Sequence, residues 1–379
     1  MINPVEIVNI TTKTPLFKKG TGEPATNIEL INFSFFNPEE NNYTDECGFN
    51  IVSQKDLYQI GDKAVYIQPD YCVPDTKLFS SFIAPNGDPK KSKLGKNNRI
   101  KAIKFNFTRE DSCDIIYSNG ILLPFEEANI PDDIEDKAEF LSITKYEEPE
   151  RFGNGRVKGN LPGFLYKTDE ENAANIKSYI NRLLEAGEEL VYTLKIDGSS
   201  FTQYFRKSEG ELVTGICSRV LEKKDVDDPN NDDRWVRLSH STGLYDRGMK
   251  FCRENNRQLA FRGEMYGLEV TKGSGNKLNP HSHMRPSIKI FGIDDLDTGR
   301  AVRLLPDDVK KICEEMDISY LAPIPISASN YDELISKANE IFENYKQTEN
   351  WIIEGIVVRT KNNNKLSCKI MNMEYDSKK

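Results

Sequence analysis

Lys195-Ile196-Asp197-Gly198-Ser199-Ser200 stands between two largely apolar stretches, Leu190-Val191-Tyr192-Thr193-Leu194 before it and Phe201-Thr202-Gln203-Tyr204-Phe205 after it. The pattern reads as strand, short loop, strand, with a lysine delivered at the end of the first strand. A strand-borne lysine followed by a carboxylate and a glycine suits attack on a nucleoside triphosphate. The amine is the nucleophile, and the glycine lets the main chain approach a phosphate closely. Lys-x-Asp-Gly alone reads equally as a hairpin turn, so its meaning rests on the rest of the chain.

The 379 residues are 29% charged and 37% hydrophobic, the mixture of a soluble globular protein with room for two or three domains. No apolar run reaches the roughly 18–20 residues that span a bilayer. The start, Met1-Ile2-Asn3-Pro4-Val5-Glu6, has neither a basic region nor an apolar signal core. Seven scattered cysteines without a Cys-x-x-Cys pair point to reduced thiols inside a cell, cytoplasmic or nuclear, and away from a zinc site. His281 and His283 read as a surface pair.

The net charge of −9 does not advertise a nucleic-acid binder, but charge acts over only about 8 Å at physiological salt, so its distribution matters more. Lys90, Lys91, Lys93, Lys96, Arg99, Lys101 and Lys104 form a run with no acidic residue among them. It reads either as a solvated loop or as a phosphate-binding surface.

Short strand patterns broken by Asn, Gly, Pro and Asp fill the first 130 or so positions, among them Lys63-Ala64-Val65-Tyr66-Ile67, Arg99 to Phe107, and Ile121-Leu122-Leu123-Pro124 after Asn119-Gly120. They predict a small β-barrel. Pro149, Gly153, Gly155, Gly159, Pro162 and Gly163 mark a linker or crossover. A helix is predicted from about Glu170 to Ala186, capped by Thr168 or Asp169 and stopped by Gly187. Further helices are expected over Pro306–Met316 and Tyr331–Tyr345, with a closing strand pair Ile352–Arg359 and Leu366–Met371.

Four more segments bear on Lys195. Arg262-Gly263-Glu264-Met265-Tyr266-Gly267 sets a carboxylate between glycines. Ser287-Ile288-Lys289-Ile290-Phe291-Gly292-Ile293-Asp294 is a strand with one aromatic, and Ile293 is expected on the face of Phe291. Glu354-Gly355 interrupts an apolar strand, and Ser367-Cys368-Lys369 puts a lysine in another. A charge embedded in an apolar strand needs a partner, and a pocket shared with Lys195 would supply one.

In this order after Lys195, with Ser218-Arg219 between Lys195 and Glu264, the segments resemble the motifs of covalent nucleotidyltransferases, the polynucleotide ligases and mRNA capping enzymes. Upstream, Gly61 to Ile67, Arg99 to Lys104, Ser118 to Pro124 and Leu141 to Glu147 look like the N-terminal OB module of a nick-sealing RNA ligase family. DNA ligases and capping enzymes carry that module after the last motif, and only eight residues follow Met371 here.

The resemblance implies an α+β protein. A five-stranded OB-type β-barrel would span residues 1–145, a linker 146–163, and a nucleotidyltransferase domain of antiparallel sheets with flanking helices 164–379. It implies ATP and Mg²⁺ or Mn²⁺ as cofactors, and a monomer acting on a nicked duplex with RNA on the 3′-OH side, away from any membrane. Lys195 would carry AMP, with Asp197 and Gly198 shaping its loop. Arg219 would bind the nucleotide or the strand end, Glu264 the ribose and Phe291 the adenine. Glu354 would hold the metal through water, with Glu264 as a second metal candidate, and Lys369 would contact the α-phosphate. Thr168-Asp169-Glu170 with Asn175 would line the nucleotide or end-binding site. Lys90, Lys91, Lys93, Arg99 and Lys101 are the candidate RNA contacts.

One departure stands out. Many ligases read Lys-x-Lys where this chain has Ser367-Cys368-Lys369, so Lys365 or Lys289 would have to replace the missing lysine. A free lysine titrates near 10.4, which leaves under about 0.1% neutral amine at pH 7, so deprotonation of Lys195 calls for nearby positive charge. DNA ligation, GTP-dependent capping, or a degenerate homologue that only binds nucleic acid are the alternatives.

Overall fold

The computed structural model describes residues 3–378 apart from 111, 113, 132, 147–155, 269 and 271–278. Half of the predicted linker, residues 147–155, therefore lies outside the described residues. The chain divides into two compact units. One comprises Met1–Pro149, Glu171–Arg182 and Met373–Lys379, and the other Glu150–Glu170 and Leu183–Asn372.

The N-terminal unit is built on two 14-residue strands, Val5–Lys18 and Pro24–Asn37. Register shifts between Ile10 and Thr12, and between Pro15 and Phe17, bend the first of them. It therefore pairs with Lys63–Ile67 near its start and with Phe107–Thr108 near its end. The sheet has seven strands rather than the expected five, and no described ladder closes it into a barrel. Lys63–Ile67 alternates between two cores: Ala64 and Tyr66 pack with Phe33 and Phe35, Val65 and Ile67 with Phe79 and Ile100. Gly120 leads into Ile121–Pro124 with φ +111°, and a Cβ there would lie 2.6 Å from the Tyr66 ring, so the turn requires glycine.

Arg99 does not face solvent as an RNA contact would, and Lys101 is half-buried. Arg99 is 8% exposed; its Nε donates to Asp70 at 3.1 Å and its guanidinium also pairs with Asp376 at 3.4 Å. Asp376 further accepts from the Ala102 amide at 2.9 Å, and Lys101 Nζ reaches the Ser377 carbonyl at 3.3 Å. These two cations clamp the C-terminal helix Met373–Lys378. Lys90, Lys91 and Lys93 are exposed.

The second unit holds two antiparallel sheets. The larger runs Val157–Asn160, Leu221–Lys223, Glu211–Cys217, Ser199–Ser208, Leu259–Tyr266, Ser287–Asp295, Val302–Arg303. One face carries Phe201, Phe205, Phe261 and Ile293, packed with Val236, Leu244 and Ile312 of helices Arg234–Ser241, Leu244–Glu254 and Pro306–Glu315. The smaller contains, in order, Ser367–Met371, Gly355–Thr360, Leu190–Lys195 and Ile324–Ile326.

The expected helix at Glu170 begins later. An Asn172-capped 3₁₀ turn, Ala173–Ile176, leads into α-helix only over Lys177–Glu185, because Asp169 and Glu170 are committed to arginine partners. Tyr331–Thr348 runs three residues beyond its predicted end. Among the described residues no helix is long and apolar enough to cross a membrane.

Candidate active site

Lys195 is the last residue of its strand and pairs with Gly355, which pairs with Met371 on the next strand. One step back, Thr193 pairs with Val357 and Val357 with Lys369. Directly paired residues share a sheet face, so Lys195, Thr193, Val357 and Lys369 line one surface. A Cβ on Gly355 would sit 2.4 Å from the Ile370 carbonyl oxygen, so the Glu-Gly pair is a packing requirement opposite Lys195.

Glu354 precedes the strand and is 5% exposed, and Lys195 Nζ donates to its Oε2 at 2.6 Å. The Asn372 amide donates to the Glu354 carbonyl, and Asn372 Nδ2 to that of Ile353. The carboxylate thus has a fixed backbone. An ion pair this close favours the charged form of the amine, which carries no lone pair for nucleophilic chemistry while Glu354 holds it.

Glu264 approaches from the larger sheet, opposite Ser200 and Lys289. Burial, reinforced by the negative charges of Glu354 and Asp197, pushes its carboxyl up to about 8, against the opposing pull of Lys195 and of the Gly198 amide that donates to it. Gly198 touches the same strand: a Cβ would lie 2.0 Å from the Met265 carbonyl oxygen. Asn279 Nδ2 donates to the Asp197 carbonyl at 2.6 Å.

His281 is not a surface residue. It lies buried with its ring 5.5 Å from that of Tyr266 and 5.7 Å from that of Trp351. Burial, helped by Lys289, lowers its pKa to about 4. His283 is exposed as expected. Nothing in sequence distinguished Asn279 or His281, because their environment is assembled from distant segments.

Phe291 is a bulge residue: Arg262 pairs with Gly292 and Gly263 with Ile290, so Phe291 has no partner in that ladder. The bulge switches the alternation, which puts Ile293 in the helix-covered core with Ile288 and Ile290, not beside Phe291. Phe291 instead meets Val191, Thr193 and Arg359 around a cavity of about 20 Å³, room for a single water.

Arg359 is a site residue that the sequence did not single out. It pairs in register with Ser367, the position of the missing lysine. Arg359 Nη2 contacts Glu170 at 3.0 Å, Ser367 Oγ donates to the same carboxylate, and Nη1 lies 3.4 Å from Thr193 Oγ1. A cation thus occupies that row of the sheet, supplied by the neighbouring strand. Lys365 is bound by Glu188 at 2.6 Å on the outer loop, and Lys289 stands across from Glu264. Arg219 pairs with Asp169 at 3.0 Å. Asn175 belongs elsewhere: it is buried in the N-terminal unit and bonded to Tyr66 and Glu171.

Among the described residues no three acidic, histidine or cysteine side chains are arranged as a direct metal cage. Glu264, Glu354 and Asp197 nevertheless act on one another's charge around the single Lys195. That donor set fits a hydrated divalent ion held by one or two carboxylates and completed by phosphate oxygens.

Residues 188–371 match the family model described as RNA ligase. A search of curated proteins gave no significant match. The fold is similar to that of the Naegleria gruberi RNA ligase. A lysine-to-methionine variant solved with AMP and Mn has TM-score 0.73 and 19% identity, covering 99% of this chain and 98% of that one. A lysine-to-alanine variant with ATP and Mn has TM-score 0.71 and 20% identity, covering 100% and 98%. An apo lysine-to-alanine variant gives 0.74 at 20% identity, covering 100% and 99%. Lys195, Glu264, Phe291, Glu354 and Lys369 all lie within the segment that matches the RNA ligase family model.

Proposed function

We propose that this chain is an ATP-dependent RNA ligase that seals nicks in duplexes with RNA on the 3′-OH side. The observation that carries the reading is Lys195 Nζ held 2.6 Å from the buried Glu354, on a sheet face shared with Lys369. Naegleria gruberi RNA ligase structures that contain ATP or AMP with Mn support the nucleotide and the metal.

In the first step the Lys195 nitrogen attacks the α-phosphorus of ATP and pyrophosphate leaves, giving a lysine–AMP phosphoramidate. The 5′-phosphate of the strand then takes the AMP and frees the lysine. Finally the 3′-OH attacks that 5′-phosphate, AMP leaves, and the phosphodiester forms.

Glu354 and, secondarily, Glu264 would hold Mg²⁺ or Mn²⁺ through water. The ion would neutralise the triphosphate and the departing pyrophosphate. Release of Lys195 by Glu354 would remove the counter-ion of the ammonium, whose proton would pass to solvent before the nitrogen attacks. Lys369 neutralises the α-phosphate, Asp197 and Gly198 shape the loop, and Arg219 holds the nucleotide or the strand end. Glu264 takes a ribose hydroxyl. Phe291 moves to admit adenine, because the cavity beside it holds no more than a water. The N-terminal unit acts as an OB-type module that grips the duplex, with Lys90, Lys91 and Lys93 on phosphates.

Incubation with α-labelled ATP and Mg²⁺ or Mn²⁺ tests the chemistry. Label is expected on the wild type and not on Lys195→Ala; absence of label, or label persisting in the variant, overturns it. Nicks with RNA or DNA at the 3′-OH side, and GTP in place of ATP, separate RNA sealing from DNA ligation and capping.

A further inference from the structure

The peptide linking Asp197 to Gly198 is held at both of its polar atoms. Its carbonyl accepts from Asn279 Nδ2 at 2.6 Å, and its N–H donates to the Glu264 carboxylate. Asn279 is 2% exposed, and its amide orientation is set by chemistry: Oδ1 accepts from the His281 main-chain N–H at 2.9 Å, so the NH₂ end must face Asp197. The same oxygen caps the 3₁₀ turn Pro280–His283.

We infer that Asn279 is a positioning residue: it fixes the plane of the Asp197–Gly198 peptide, so that the Gly198 N–H meets Glu264 and Glu264 is aimed at the ribose of the incoming nucleotide. This rests on the reading of Lys195 as nucleophile and Glu264 as ribose ligand. The need for a fixing group follows from the glycine. Only glycine fits beside the Met265 carbonyl, yet glycine leaves the peptide plane next to it free to turn. A turned plane would withdraw the Gly198 N–H from Glu264 and bring the Asp197 carbonyl oxygen toward a carboxylate. Asn279 opposes that turn, because losing its donor would leave a buried carbonyl unpaired.

The competing role is structural, as a cap alone. Asn279→Asp separates the two: an aspartate still accepts from His281 and caps the turn, but offers the Asp197 carbonyl no donor. Lysine–AMP formation is measured with ATP, 2′-deoxy-ATP and 3′-deoxy-ATP, alongside thermal melting. Wild type is expected to disfavour one deoxynucleotide. Asn279→Asp is expected to melt below the wild type while still folding, because the Asp197 carbonyl loses its donor, and to lose roughly tenfold of that preference, mainly through KM. In a Glu264→Ala background the same substitution should add nothing to the ratio.

An unchanged ratio, an equal loss for all three nucleotides, an additional loss in the Glu264→Ala background, or a wild type indifferent to both deoxynucleotides overturns the inference. Should Asn279→Asp fail to fold, Asn279→Ser keeps a cap acceptor and is too short to reach the carbonyl, and the same outcomes apply. Wild type without any label overturns the ligase reading and this inference together; label with an unchanged ratio overturns this inference alone.

Discussion

Gly198 is fixed as glycine by distance, not by a left-handed backbone. The 2.0 Å between a Cβ and the Met265 carbonyl oxygen can be relieved only by lifting the loop off its neighbour strand. Gly198→Ala should therefore lower lysine–AMP labelling by about 100-fold while leaving circular dichroism and melting near wild type, since an ångström of misplacement costs about that much. Retained labelling would mean that the loop does not set the nucleophile. Glu264 makes a second residue-scale prediction, through pH. Its carboxyl titrates at about 8 in the fold against 4.5 in the unfolded chain. The fold holds that proton more tightly, so its contribution is full below about pH 4.5 and lost as pH rises through 8. His281 works oppositely: lowered from 6.5 to about 4, it contributes above 6.5 and loses that contribution as pH falls toward 4. Between pH 6.5 and 8 only Glu264 of the two still titrates, so the melting temperature should decline there and Glu264→Gln should flatten the decline. A parallel decline in the variant would assign it to another group.

At the scale of strands, Asp294 ties the larger sheet together. It is 0% exposed, accepts from Arg262 Nε at 2.7 Å on one neighbouring strand, and pairs with Arg303 on the other. Removing it leaves a buried Arg262 and a mostly buried Arg303 without their carboxylate, a loss on the order of 3–5 kcal/mol. Urea unfolding of Asp294→Ala should show a loss of that size, with Asp294→Asn intermediate because the amide still accepts one hydrogen bond. A loss under about 1 kcal/mol would show that the arginines find other partners. The sequence displayed the strands well, since Lys63–Ile67 and Ile121–Pro124 agree with their apolar runs. The helix Pro306–Glu315 ends one residue inside its predicted limit. It did not display the bulge at Phe291, because a bulge is a property of the pairing and not of one strand. Nor did it display the late helix start after Glu170, which is set by arginines Arg219 and Arg359, 50 and 189 positions away from their carboxylates. Of the candidate site, the order of Lys195, Glu264, Glu354 and Lys369 was legible as spacing. Arg359, Asn279 and His281 became visible only through register and burial.

At the scale of the whole molecule, the basic run divides into two classes with different consequences. Arg99 and Lys101 hold the C-terminal helix to the N-terminal unit, where Tyr375 is fully buried. Truncation after Asn372 would strip Arg99 of Asp376 and the Ala102 amide of its acceptor, and would open the space filled by the Tyr375 ring. Such a protein should lose several kcal/mol of stability, about 3–5 for a truncated large aromatic side chain alone. Limited proteolysis of the N-terminal unit would register it as faster cleavage. Lys90, Lys91 and Lys93 carry no such burden, being exposed on a short 3₁₀ turn and the residues after it. Their replacement by glutamine should leave melting and lysine–AMP formation unchanged. Nick sealing should weaken, and its logarithmic dependence on salt should become shallower by roughly one for each phosphate that is no longer neutralised. Equal loss of labelling and sealing would move these lysines from the RNA to the nucleotide. An unchanged salt slope would leave them as solvated loop, and the duplex would then have to be gripped by a different face of the N-terminal unit.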